Sequence, residues 1–367
     1  MYSTFLKVSV ICVEKIRIEK SAVLMEKPAI EGIPFGTYFA DHMFLLNYDG
    51  EKGWHNPRVV PFANFEISPA AAVFHYAQEI FEGMKAYRSP EGEVRLFRPL
   101  ENARRLNSSA ERLCIPQVPE DVFLEGLKAL VELDKDWVPD APDTSLYIRP
   151  YIIATSPQLG VHASKSYLFA IITCPVGSYY PEGLNPVRIL IENYDVRAVR
   201  GGTGYTKCGG NYAASIRAAE RAEKQGYNQV LWLDGVTRRN IEEVGSMNVM
   251  FKVDGRIITP ALTGSVLPGI TRKSCIELIK SWGLEVEERE FSVDELITAA
   301  KDGKLEEACG TGTAAVVSPI GEVAFDGVRY EIGGGRIGTL TQKLYDTITG
   351  IQWGKTEDKF GWSVKVC

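Results

Sequence analysis

The side chain best placed to do chemistry in this 367-residue chain is Lys207. Gly201, Gly202 and Gly204 precede it, and Gly209 and Gly210 follow. Bulky groups are therefore absent around the amine, and bare backbone leaves room for a large planar ligand. On spacing alone a lysine here reads first as a solvated surface residue, and the glycines on both sides keep a catalytic role open as the alternative. The segment is not a P-loop, because Thr206 stands where Gly must precede the lysine and Cys208 where Ser or Thr must follow. Gly310-Thr-Gly-Thr-Ala-Ala315 fits G-x-G-x-x-A, but that fingerprint must open a helix, whereas Ala314 to Val317 reads as a strand and meets Pro319. A nicotinamide site is not expected. Further along, Leu267-Pro-Gly269 precedes a predicted helix. Its first residues, Ile270 and Thr271, would offer free N–H groups and the positive end of the helix dipole to an anion.

Composition narrows the classes. Apolar residues make up 45 % of the chain, ample for a large core, and the length suggests about two domains. A net charge of -6 argues against a general polyanion binder, so nucleic acid is not an expected partner. No apolar run approaches the roughly 18–20 residues that span a bilayer, so no membrane partner is expected. Residues 1–24 carry four basic and two acidic side chains around the short apolar run Val8 to Val13. That reads as a cytoplasmic protein, with a mitochondrial address left open. Seven cysteines without C-x-x-C spacing and four histidines standing alone predict neither a disulfide framework nor a metal site.

The elements that must position Lys207 follow from periodicity. Val94–Phe97 alternates as a strand, and Pro99 then sits where a helix can begin. Leu106, Ala110 and Leu113 share one helical face, and Pro116 ends it. Ser145–Arg149 alternates again, and Tyr167–Cys174 reads as a buried strand. A turn-rich stretch, Pro175 to Gly183, marks a linker. Beyond it, Val187–Ile191 and Gln229–Asp234 read as strands and Asn211–Gln225 as an Ala-rich helix. Val249–Val253 and Arg256–Thr259 form a hairpin, since Asp254-Gly255 suits the positive φ angles of a type I′ turn. The helix after Gly269 has the apolar stripe Cys275, Leu278, Ile279 and Trp282. The expected fold is α+β: a smaller N-terminal domain over 1–176, a loop over 177–186, a larger domain over 187–367, and a site in the cleft between.

The most specific signal is Glu243-Val-Gly-Ser-Met-Asn248 followed by Ile257-Ile-Thr259 and Leu267-Pro-Gly269-Ile-Thr-Arg272. It resembles the signature of the class IV, fold-type-IV, pyridoxal-phosphate (PLP) aminotransferases. Within that class, Phe81-Glu-Gly-Met-Lys-Ala-Tyr87, Leu146-Tyr-Ile-Arg-Pro150 and Lys207-Cys-Gly-Gly-Asn-Tyr212 resemble the branched-chain amino-acid aminotransferases. The resemblance runs from about Phe35 to Trp362.

It implies the following roles. Lys207 matches the lysine that carries PLP covalently and then shuttles the substrate's α-proton. Glu243 matches the carboxylate that keeps the pyridine nitrogen protonated, and Tyr212 the tyrosine at the phenolic oxygen. Arg105, Ile270, Thr271 and Thr313 match the phosphate site. Phe35, Tyr76, Phe81, Tyr147 and Tyr179 match aromatic pocket walls, and Arg149 matches the arginine that meets the side-chain carboxylate of glutamate. The N–H groups of Thr313 and Ala314 match the α-carboxylate site. Two departures stand out: Met250 replaces an aromatic, and Ala315 and Ser318 replace the redox C-x-x-C of mammalian relatives.

The expected reaction is ping-pong transamination of L-leucine, L-isoleucine or L-valine with 2-oxoglutarate, in a homodimer. Same-fold alternatives are a D-amino-acid aminotransferase and an aminodeoxychorismate lyase. A non-catalytic small-molecule-binding protein is the alternative from another class.

Overall fold

The computed structural model describes residues 14–177 and 184–367. Two nine-stranded sheets organise them. In the first, the strand order is Arg17–Ile18, Gly53–Pro61, His42–Asp49, Ser166–Val176, Ser145–Ala154, Met84–Arg88, Val94–Phe97 and Ser363–Lys365, with Glu79–Phe81 paired onto Ser145–Ala154. In the second it is Ile241–Val244, Gln229–Leu233, Val187–Glu192, Val316–Phe325, Leu305–Gly312, Asn248–Val253, Arg256–Pro260 and Val286–Arg289, with Val328–Glu331 paired onto Val316–Phe325.

Parity along Ser145–Ala154 decides which side does what. Leu146, Ile148 and Ile152 pack with Leu106, Phe123 and Leu127 of the helices Pro99–Arg112 and Glu120–Leu133 in one apolar core. Tyr147, Arg149, Tyr151 and Ile153 point to the opposite face. A second core, with Val249, Phe251, Phe291 and Leu296, belongs to the other sheet. Its helix Val293–Lys301 starts on a Ser292 cap whose side chain accepts the Glu295 N–H at 3.1 Å. A third cluster joins the halves: Tyr87 and Phe97 pack with Leu278, Leu344, Ile348 and Trp353.

Several local expectations hold. Pro99 occupies the first turn of its helix. The hairpin turns on Asp254 and Gly255 at φ 49° and 75°, pairing Val253 with Arg256. Three readings need correction. The Ala-rich helix is two pieces, Gly209–Ala213 and Ile216–Lys224. Ser215 breaks it by directing both its N–H and its Oγ onto the Tyr212 carbonyl, three residues back. Ala314 and Ala315 form a turn, and their strand begins at Val316. That turn closes through Val316 at φ 59°, a strained state for a β-branched residue that an apolar run does not announce. Finally, Pro175 and Val176 finish a strand; residues 178–183, the rest of the expected linker, lie outside the described residues. The division at 187 also does not anticipate that Ser363–Lys365 returns to pair with Val94–Phe97. Among the described residues, no helix is long and apolar enough to cross a membrane.

Candidate active site

Between the sheets lies a cavity of about 220 Å³ whose wall includes Phe35, Phe81, Tyr147, Arg149, Lys207, Tyr212, Thr313 and Ala314. A smaller recess containing Glu243 adjoins it, sharing Tyr212 and Ser246. Two surface clefts are larger, about 500 and 540 Å³. The second is walled in part by Arg105, Gly269 and Ile270, but Lys207, Tyr212 and Arg149 line the smaller cavity and neither cleft, so the chemistry belongs to the smaller cavity.

Lys207 is held by its main chain. Its N–H donates to Ser109 Oγ at 3.0 Å, and its carbonyl accepts the Phe81 N–H at 2.9 Å. Its Nζ lies 4.8 Å from the Phe81 ring centre and 4.9 Å from that of Tyr212, and donates to the Tyr212 hydroxyl. Desolvation brings the amine down to about 7, with Arg105 and Arg149 adding to the fall and Glu82 and Glu243 opposing it. A lysine so poised is a nucleophile and a proton carrier near neutral pH.

Arg149 stacks on Phe81, its guanidinium carbon 4.6 Å from the ring centre. Its Nη2 donates to the Tyr147 hydroxyl at 2.9 Å, and its buried Nε has no acceptor. Phe35 meets Tyr147 edge-on at 4.9 Å. The pocket thus has aromatic walls and one arginine with donors to spare, the pair of properties needed to take either an apolar or a carboxylate side chain.

Glu243 is buried; its Oε1 accepts the Leu267 N–H at 2.7 Å, and its Oε2 lies 3.3 Å from Arg197 Nε. Burial pushes its pKa up, tempered by Arg197. Such a carboxylate gains from a protonated ring nitrogen beside it. Arg105 is buried and grips Glu82 with two bonds, Nε to Oε1 at 2.7 Å and Nη2 to Oε2 at 2.8 Å. Burial works against its charge and Glu82 outweighs burial, so it remains a firm cation. Its Nη1 reaches the Pro268 carbonyl at 3.2 Å, beside the start of the helix Ile270–Ser281, which has no side-chain cap. Ile270 and Thr271 therefore open a helix with free N–H groups, as the sequence implies. Thr313 Oγ1 donates to the Gly83 carbonyl at 3.2 Å. A buried arginine, an uncapped helix start and an acid beside an enclosed recess fit a phosphorylated pyridine coenzyme.

Tyr76 does not reach the cavity of this chain. It ends the short helix Ala72–Tyr76, is 40 % exposed, and its hydroxyl accepts the Gly160 N–H at 2.8 Å. Tyr179 lies outside the described residues. Sequence reading missed Glu82, Arg197 and Lys85. Lys85 is buried with its Nζ on the Ala314 carbonyl at 2.8 Å, and desolvation lowers it to about 8. Glu82 and Lys85 stand inside the Phe81-to-Tyr87 motif and were within reach of its spacing; Arg197 has no local signal.

The fold and this cavity define a class. Residues 79–323 match the family described as amino-transferase class IV, and the chain belongs to that family. More narrowly, it is 55 % identical over 353 residues to "Branched-chain-amino-acid aminotransferase 2" of Bacillus subtilis (strain 168), covering 96 % of this chain and 97 % of that one. The crystallised branched-chain amino acid aminotransferase of Escherichia coli superposes with a TM-score of 0.71 at 28 % identity, over 89 % of this chain and 99 % of that one. The branched-chain aminotransferase of the archaeon Thermoproteus uzoniensis, crystallised with norvaline, superposes with a TM-score of 0.73 at 25 % identity, over 89 % of this chain and 100 % of that one.

Proposed function

We infer that this chain is a PLP-dependent branched-chain amino-acid aminotransferase. It moves the amino group of L-leucine, L-isoleucine or L-valine to 2-oxoglutarate, giving the branched 2-oxo acids and L-glutamate in two half-reactions through one pocket. The observation that carries this reading is Lys207 and Arg149 stacked on the same Phe81 ring in one aromatic cavity.

When bound, the coenzyme supplies an electron sink for the negative charge left on the substrate α-carbon. The chain's residues do the rest. The Lys207 amine takes the α-proton and returns it, with the Tyr212 hydroxyl fixing its position. Glu243, held by Arg197 and the Leu267 N–H, keeps a proton at the ring nitrogen. Arg105, Thr313 and the N–H groups of Ile270 and Thr271 anchor the phosphate, and Glu82 orients Arg105. The N–H groups of Thr313 and Ala314 receive the substrate α-carboxylate, in a turn that Lys85 ties to the first sheet. Phe35, Phe81 and Tyr147 exclude water around an apolar side chain, and Arg149 receives the second carboxylate of glutamate or 2-oxoglutarate.

The working form is a cytoplasmic homodimer of two-domain subunits. Exposed Phe74, Tyr76, Leu159 and Val161, gathered by the Tyr76–Gly160 bond, support a covering second copy. Turnover of a panel of both enantiomers of leucine, isoleucine and valine with 2-oxoglutarate tests the reading. Activity on the L series supports it, and activity confined to D-amino acids rejects it.

A further inference from the structure

One carboxylate at this site has no part in the chemistry above. Glu79 begins the strand Glu79–Phe81, which pairs antiparallel with Ser145–Ala154 in the register Glu79–Ile153 and Phe81–Tyr151. Side chains two residues apart share a face, so Glu79 stands on the face of Phe81, Tyr151 and Arg149. Its Oε1 accepts the backbone N–H of Gly209, two residues beyond Lys207. A Cβ at Gly209 would collide with that oxygen, so the glycine is what admits the contact. Together with Ser109 and Phe81, which hold the N–H and carbonyl of Lys207, Glu79 makes a third clamp on this short stretch of main chain.

Its charge also has a place. Of the carboxylates that act on Lys207 or feel Arg149, Glu82 is paired with Arg105 and Glu243 with Arg197, while Glu79 has no ion-pair partner among the described residues. Glu79 is half-buried. Its pKa is raised, chiefly by burial, with the Gly209 N–H and then Arg149, acting through space, pulling it back down. Arg149 faces an uneven task. A dicarboxylate brings it a countercharge, whereas an isobutyl side chain brings none, and a cation facing apolar surface is costly without a negative partner nearby.

We propose that Glu79 is a positioning and specificity residue: it clamps the main chain after Lys207 and is the standing countercharge of Arg149 when an apolar side chain fills the pocket. It thereby sets the balance between apolar and dicarboxylate substrates. The proposal rests on the role given to Arg149 above. Removing the charge frees Arg149 for the dicarboxylate and removes a repulsion of it, while the apolar substrate loses its compensation.

The test uses the coenzyme-loaded enzyme with Glu79→Gln, which keeps an acceptor for Gly209 and drops the charge, and Glu79→Met, which keeps the volume and drops both. Steady-state kcat and KM are measured for leucine and for 2-oxoglutarate, with coenzyme content and thermal midpoint alongside. Glu79→Gln is expected to lower KM for 2-oxoglutarate relative to that for leucine by about fivefold, moving KM more than kcat. Glu79→Met is expected to show the same KM shift plus a fall in kcat of about tenfold in both half-reactions, from a looser Lys207. An unchanged KM ratio in Glu79→Gln overturns the countercharge, and an unchanged kcat in Glu79→Met overturns the clamp. If Glu79→Met does not fold, Glu79→Gln still decides the specificity claim. Wild-type enzyme inactive on leucine would instead overturn the proposed function, before any variant is made.

Discussion

Arg149 gives one donor to the Tyr147 hydroxyl at 2.9 Å and keeps a buried Nε without any acceptor. An arginine left this way inside an aromatic wall waits for an anion, and it explains how one cavity serves two kinds of side chain. Arg149→Ala is expected to cost the 2-oxoglutarate half-reaction about 2 kcal/mol, roughly 30-fold in kcat/KM, the worth of a hydrogen bond to a charged group. The leucine half-reaction should lose much less. Single-turnover kinetics of each half measure this; equal losses would mean that Arg149 only shapes the pocket.

Gly83 guards that same pair. A Cβ placed there would overlap the Tyr147 hydroxyl. Gly83→Ala should displace Tyr147 and disturb Arg149, costing about 1–3 kcal/mol of stability through overpacking. A lowered thermal midpoint together with a larger KM for 2-oxoglutarate is the expected result.

Lys207→Ala should reduce turnover by at least about 10²–10⁴-fold, the contribution of a positioned acid–base group. Noncovalent coenzyme binding through Arg105 and the helix start at Ile270 should survive, measured as coenzyme retained after gel filtration. Turnover near the wild-type level would remove Lys207 from the mechanism.

The pH dependence of coenzyme capture follows from the Lys207 amine at about 7, below the ordinary 10.5. The neutral amine is the nucleophile, and a lowered pKa makes it neutral from about pH 7 upward. Stopped-flow capture of PLP by coenzyme-free protein should therefore accelerate through pH 7 and level off above it. A rate still climbing at pH 9 would mean that burial does not lower this amine.

Away from the site, Asp134 accepts both the His42 N–H at 3.1 Å and His42 Nδ1–H at 2.6 Å, while His42 Nε2 accepts the Ser21 N–H at 2.9 Å. Both side chains are buried. Asp134→Ala should destabilise the protein by about 3 kcal/mol, because it strands buried donors. A urea melt beside wild type measures the loss.

Much of this was readable before the structure, for a local reason. Lys207, Tyr212, Glu243 and Arg149 sit in short motifs, and Pro99 and Asp254-Gly255 fix their elements through backbone preference alone. What was hidden depends on partners far along the chain. Arg197 and Glu243 are 46 positions apart (243 minus 197), and no periodicity links them. His42 reads as solitary until the fold brings it Asp134. The run Ala314 to Val317 looks extended in sequence, whereas Ala314 and Ala315 lie in a turn that closes through Val316 at φ 59°, a state that apolar residue types do not signal. Tyr76 matches a pocket aromatic in sequence, yet its own chain directs it to Gly160.

The most direct measurement is the visible absorbance of the purified, coenzyme-loaded protein. Addition of L-leucine should bleach the coenzyme band, and later addition of 2-oxoglutarate should restore it, reporting both half-reactions in one cuvette. A protein that stays colourless after incubation with PLP, or a band indifferent to L-leucine, would contradict the account.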